Sequence, residues 1–139
     1  PYTIGYTPEP LHGLTCKRNH LGQVFINLLS NSADALSEKF SSDDANLESG
    51  LINITLMNSE RSGKAGILIS VEDNGDGVPI KIRESIFDSY FTTKRPGAGT
   101  GLGLSISRQI VMSHKGEMWV DGSPELGGAR FNVWLPLDS

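Results

Sequence analysis

The chain has one cysteine in 139 residues. Cys16 therefore has no internal disulfide partner, which fits a reducing cytoplasm. It is expected as a small buried hydrophobe rather than as a reactive thiol. Long hydrophobic runs are missing too: none approaches the roughly 20 residues of a membrane span. No direct membrane contact is expected of the domain, and no stretch has the form of a secretory leader. Positive charge is scarce: 12 Lys and Arg face 16 Asp and Glu, a formal net charge of −4. This balance argues against a general nucleic-acid surface, which needs a basic patch. Repeats and low-complexity tracts are absent. The chain opens on Pro1 rather than Met and is expected to be a domain cut from a longer protein.

What is present suits one domain, residues 1–139, with a real core. The hydrophobic fraction of 37% and the charged fraction of 20% are those of an ordinary globular chain. Sixteen glycines are spread unevenly, with clusters at Gly75 and Gly77, at Gly97 to Gly103, and at Gly127 and Gly128. Such clusters mark sharp turns or close approach of backbone to a ligand. Residues 2–6 are expected as a short strand. Residues 17–40 are expected as a helix, with Leu21, Val24, Phe25, Leu28, Leu29, Ala35 and Leu36 on one face. Residues 41–50 form a polar loop. Ile52, Ile54 and Leu56 alternate, as do Ile67, Ile69 and Val71, which gives two strands joined by a turn over 58–64. A second helix is expected over about 101–115, with Ile106, Ile110 and Val111 as its apolar stripe and Gly116 as its stop. Met118 and Val120, then Phe131, Val133 and Leu135, mark two more strands around a turn at 122–128. The fold class is α+β: a two-layer α/β sandwich, a mixed β-sheet with helices on one face.

Three features bear chemistry. Asn27, Asn31 and Asp34 stand at i, i+4 and i+7 of the first helix, on one narrow arc beside its apolar face. Two amide oxygens in line are able to hold a hydrated Mg²⁺, which takes hard oxygen ligands and keeps several waters. The same arc also fits a polar helix edge bonded to neighbouring loops. Asp73 ends an apolar strand and is followed by Asn74, Gly75, Asp76 and Gly77. A carboxylate there accepts an exocyclic amine such as that of adenine, while the glycines let backbone pass close to a flat ring. A plain turn fits the same dipeptides. Gly99-Thr100-Gly101-Leu102-Gly103 leads directly into the second helix. Backbone N–H groups at a helix start bind phosphate. The spacing is neither that of a dinucleotide fingerprint nor that of a P-loop. Lys94 is placed to reach a terminal phosphate, or is an ordinary solvated lysine.

In this order the motifs resemble the catalytic, ATP-binding domain of sensor histidine kinases, of the Bergerat ATP-binding class. Residues 23–35 resemble the family's N box, Asp73 to Gly77 its first glycine box, residues 86–94 its F box, and Gly99 to Leu104 its second glycine box. His114-Lys115-Gly116 and residues 129–136 resemble its usual ending. The resemblance implies that Asn31 binds Mg²⁺ with Asn27 as helper, and that Asp73, beside Gly75 and Gly77, recognises adenine. It implies that Gly99, Thr100, Gly101, Leu102, Gly103 and Leu104 cradle the phosphates. Phe87, Thr93 and Lys94 join the implied ATP site, residues 88–100 form the lid, and Asp34 is the weakest of the implied contacts. Gly128-Ala129 departs from a frequent Gly-Thr pair, so one hydroxyl beside the base is missing.

Related ATPases of the fold carry a Glu one helical turn before the magnesium Asn, as general base for water. Asn27 stands there, and an amide cannot take that proton. The resemblance thus favours a kinase over an ATP-hydrolysing domain or a degenerate nucleotide-binding module. It also implies that Asn27→Glu raises hydrolysis where geometry matches. His12, His20 and His114 are followed by Gly13, Leu21 and Lys115, and none has an acidic residue directly after it. No catalytic residue is therefore expected within the chain. The implied partners are a dimerisation domain of the same protein carrying the phosphoacceptor histidine, and a response-regulator receiver domain.

Overall fold

The computed structural model describes residues 2–7, 14, 16–40, 50–91 and 102–137. The elements run β1 (Tyr2–Thr7), α1 (Arg18–Lys39), β2 (Gly50–Arg61), β3 (Lys64–Asp73), two 3₁₀ turns (Ile80–Ile82 and Ser85–Phe87), α2 (Gly103–Ser113), β4 (Glu117–Gly122) and β5 (Ala129–Pro136). The sheet order is β1-β2-β3-β5-β4. Among the described strands only β1 and β2 pair in parallel, so the sheet is mixed, as the order of strands and helices along the chain implies.

Strand alternation places one apolar set on one face. Ile54, Val71, Phe131 and Val120 form one row across four strands, and Leu56, Ile69, Val133 and Met118 form the next. These rows pack with Leu21, Val24, Leu28 and Leu36 of α1 and Val111 of α2 in one core. Phe25 and Leu29 are half-buried at its border. The opposite face carries polar ladders, such as Arg130 paired with Asp121 through two bonds of 2.7 and 2.8 Å. On the apolar face one row ends differently: Asp73 stands opposite Ile52, a carboxylate in line with the hydrophobes.

The structure revises four expectations. The β2–β3 connection shrinks to Ser62 and Gly63, both at positive φ, and the strands extend to Arg61 and Lys64. Such a two-residue turn matches strand twist better than a longer loop. The stripe of α2 is rotated: Ile106 is 43% exposed, while Ser107 is fully buried against α1. Gly116 does not close α2 through its own conformation. Lys115 takes the left-handed position (φ 60), and the N–H groups of Lys115 and Gly116 return to the carbonyls of Met112 and Val111. Gly116 is required for space, since a Cβ there would lie 2.3 Å from the Trp134 carbonyl oxygen. Cys16 is exposed, because it lies before α1 and off its buried stripe.

Candidate nucleotide site

α1 is the spine of the site. Its buried stripe runs Leu21, Val24, Leu28, Ser32, Leu36. Ser32 is the polar member. It is completely buried, and its Oγ makes no hydrogen bond with any described residue. It lies close enough to the Asp73 carboxylate to favour the charged form of that group. Its hydrogen-bonding capacity is thus directed at the buried acceptor.

Asp73 is 1% exposed. Its Oδ1 accepts the N–H of Gly75 at 2.9 Å and of Ala129 at 3.1 Å. Its backbone carbonyl accepts the N–H of Gly128 at 3.1 Å. Burial pushes the carboxyl above its ordinary value; the Gly75 and Ala129 bonds, Ser32 and the charge of Lys39 pull the other way. A desolvated carboxylate with one oxygen filled by backbone donors is a built acceptor rather than a plain turn residue.

Three contacts fix the turn after Asp73. The Asn74 side chain accepts the N–H of Leu51 at 2.7 Å. From the last turn of α1, Lys39 Nζ donates to the carbonyls of Asn74 (2.8 Å) and Gly75 (3.3 Å). Gly77 turns the chain at φ 78. Gly128 closes the far side, because the space a Cβ would need there is filled by Asp73 and the Gly75 nitrogen.

The other candidates fall into four groups. Asn31 is half-buried, and its amide has no hydrogen-bond partner among the described residues. Asn27 is engaged: its Nδ2 donates to the Gly103 carbonyl at 3.1 Å and to Ser107 Oγ at 3.0 Å, while Oδ1 accepts from Gln23 at 2.8 Å. Asp34 is exposed. Phe87, implied as an ATP contact, is instead a core residue, buried with Ile86 and covered by the Arg108 guanidinium at 4.5 Å, which also pairs with Glu84. The apolar ring anchors the segment that follows. Leu102, Gly103 and Leu104 open α2, whose start has no side-chain cap. Thr93, Lys94, Gly99, Thr100 and Gly101, with most of the expected lid, lie outside the described residues.

Sequence reasoning missed Ser32, Lys39 and Ser107 as parts of this arrangement, and saw Gly128 only through its pairing with Ala129. Ser32 carried a signal, being a hydroxyl on an otherwise apolar helical stripe. Gly128 carried one as a member of a glycine pair. Lys39 carried none, since its contacts lie 35 and 36 residues away.

The donor set fits a nucleotide. A buried acceptor, an unpartnered hydroxyl beside it and a glycine-walled turn lie at one part of α1. Asn27, five residues before Ser32, touches the start of α2, about 8 Å back along the helix axis. Among the described residues no three His, Cys, Asp or Glu side chains gather as a metal cluster. A hard cation held here would take Asn31 as its protein ligand, with phosphate and water completing its shell.

The chain matches the family described as histidine kinase-, DNA gyrase B-, and HSP90-like ATPase over residues 16–139. It is 36% identical over 135 residues to the signal transduction histidine-protein kinase AtoS of Escherichia coli (strain K12), covering 97% of this chain and 20% of that protein. The chain thus spans about a fifth of that relative's length. Among solved structures, the catalytic domain of histidine kinase ThkA superposes with a TM-score of 0.73 at 31% identity, covering 99% of this chain and 78% of that one. Full-length ShkA in complex with AMPPNP superposes with a TM-score of 0.73 at 26% identity, covering 99% of this chain and 26% of that chain. The order of boxes, the mixed sheet under two helices and the family match agree: the chain belongs to the histidine kinase-, DNA gyrase B-, and HSP90-like ATPase family, as a sensor histidine kinase ATP-binding domain.

Proposed function

We propose that this chain binds ATP with Mg²⁺ and serves as the phosphate-donor part of a cytoplasmic sensor histidine kinase. The acceptor histidine lies on a dimerisation domain of the same protein, and a response-regulator receiver domain is the downstream partner. ATP supplies the transferable γ-phosphoryl group. The single observation that carries the reading is the buried Asp73 carboxylate beside the unpartnered Ser32 hydroxyl. Asp73 accepts the exocyclic amine of adenine on Oδ2, since Oδ1 takes two backbone N–H groups. Ser32 holds a water or a ring nitrogen beside it. Asn31 supplies the protein oxygen for Mg²⁺, and the start of α2 faces the phosphates. The likeness to ShkA, whose structure is a complex with AMPPNP, supports nucleotide binding by this chain. No helix among the described residues is long and apolar enough to cross a membrane.

An ATP-hydrolysing reading needs a base one turn before Asn31. Asn27 there is an amide whose nitrogen donates to α2, so it accepts no proton from water. Calorimetric titration with ATP, ADP and GTP, with and without Mg²⁺, tests the proposal. Binding of both adenine nucleotides with rejection of GTP is expected; equal affinity for GTP, or no binding, overturns it.

A further inference from the structure

We infer that Asn27 is a positioning residue, an amide clasp that sets the start of α2 against α1, rather than a ligand of the metal. The inference rests on the nucleotide reading above and assigns one of its residues a different task.

An asparagine amide offers two N–H donors and two acceptor lone pairs. In Asn27 both donors are engaged, one on the Gly103 carbonyl and one on Ser107 Oγ, and Gln23 takes one lone pair of Oδ1. Gly103 and Ser107 are one helical turn apart, so the clasp spans the first turn of α2. Ser107 is fully buried, which keeps that bond away from water. Reversing the amide would set Oδ1 against the Gly103 carbonyl, acceptor against acceptor. The orientation is therefore imposed by α2, which leaves Oδ1 one lone pair beside Gln23, and turning the amide from this position to meet a cation would break both bonds. Asn31, four residues on, has no such engagement among the described residues. The two asparagines divide the work: Asn27 holds the helix whose N–H groups face phosphate, and Asn31 meets the cation.

The distinction has a direct readout, because a positioning defect acts without metal. ADP affinity is measured by calorimetry in EDTA and again in Mg²⁺ for the chain and for N27D, N27A, S107A and N27A/S107A. A carboxylate at residue 27 cannot donate to the Gly103 carbonyl. N27D is expected to weaken ADP about tenfold in EDTA, with the gain on adding Mg²⁺ unchanged, as suits the loss of a buried hydrogen bond. S107A, which is remote from any cation and conservative in size, is expected to weaken EDTA-state binding about threefold. The double variant should fall within about twofold of N27A, since the two residues share one interaction. Amide exchange at residues 103–106 should quicken in N27D and S107A without nucleotide. The inference is overturned if N27D binds ADP normally in EDTA and loses only the Mg²⁺ gain, or if the N27A and S107A effects multiply. If the parent chain binds no ADP, the nucleotide reading fails, and exchange at 103–106 still decides the clasp: unchanged rates overturn it and faster rates support it.

Discussion

Gly128 and Asp73 occupy space that admits no further atom between them: a Cβ on Gly128 would lie 2.3 Å from the Asp73 carbonyl oxygen and 2.4 Å from Oδ1. The Gly75 nitrogen would be 2.7 Å away. Two of these three atoms are backbone, and the third is held by two N–H groups, so none yields as a flexible side-chain tip does. Gly128→Ala is therefore expected to destabilise the chain by about 1–3 kcal/mol through overpacking. It should also abolish adenine-nucleotide binding, because relief requires Asp73 to move. Calorimetric unfolding and an ATP titration of the variant check both; an unchanged melting point with native affinity would remove the constraint assigned to Gly128.

Asp73→Asn keeps an oxygen for the Gly75 and Ala129 N–H groups and removes the charge. Adenine-nucleotide binding should weaken by about 1.5–3 kcal/mol, tenfold or more. Stability should move the other way. Burial raises the Asp73 carboxyl above its ordinary value of 3.8. The folded chain therefore binds this proton more tightly than the unfolded chain does. Its contribution to stability is full below 3.8 and is lost as pH rises through the folded value. The variant should gain on the parent chain between about pH 3.5 and about pH 7, as urea unfolding at the two values will show. A stability difference independent of pH, or one of opposite sign, would refute the burial cost assigned to Asp73.

Part of this site is legible in the sequence because it is local. A strand that alternates Ile67, Ile69, Val71 and then ends in Asp73 puts a carboxylate on the apolar face by period alone. Asn31 stands out by helical spacing. The remainder depends on contacts that no window contains. Lys39 reads as a solvated lysine at a helix end, yet it holds the carbonyls of Asn74 and Gly75. Ile106 was assigned to the buried stripe of α2 on hydrophobicity; α1 instead receives Ser107, because Asn27 offers that hydroxyl a hydrogen bond. Gly116 reads as the stop of α2, yet Lys115 takes the left-handed position and the Trp134 carbonyl sets the demand for glycine at 116.

Ser32→Ala separates folding from binding. The hydroxyl is buried and makes no hydrogen bond beyond its support of the Asp73 carboxylate, so its removal should change the stability of the nucleotide-free chain by no more than about 1 kcal/mol. If the hydroxyl orders a water or a ring nitrogen beside Asp73, ATP affinity should fall about threefold to tenfold. Thermal unfolding with and without ATP gives both numbers on one sample. A variant that loses stability and keeps its affinity would make Ser32 a packing residue.

The chain alone is expected neither to label itself with phosphate nor to release it at a useful rate. Of its histidines, His12 lies outside the described residues, and His20 is exposed in the first turn of α1. His114 is nearly buried with both ring nitrogens engaged: Nδ1 meets the Ile110 carbonyl at 2.9 Å and Nε2 accepts the Lys17 N–H at 3.1 Å. Neither nitrogen of His114 offers a free lone pair to phosphorus. Residue 27 supplies no base for hydrolysis, because an amide takes no proton and its nitrogen is bound to α2. For the same reason Asn27→Glu should lose nucleotide rather than gain turnover, against the expectation drawn from the related ATPases: the carboxylate faces the Gly103 carbonyl with nothing to donate. Incubation with γ-labelled ATP should leave the protein unlabelled, and adding the dimerising helices of the parent protein in trans should place label on those helices. Steady release of phosphate by the unmodified chain would instead make it a hydrolase and require a base other than residue 27.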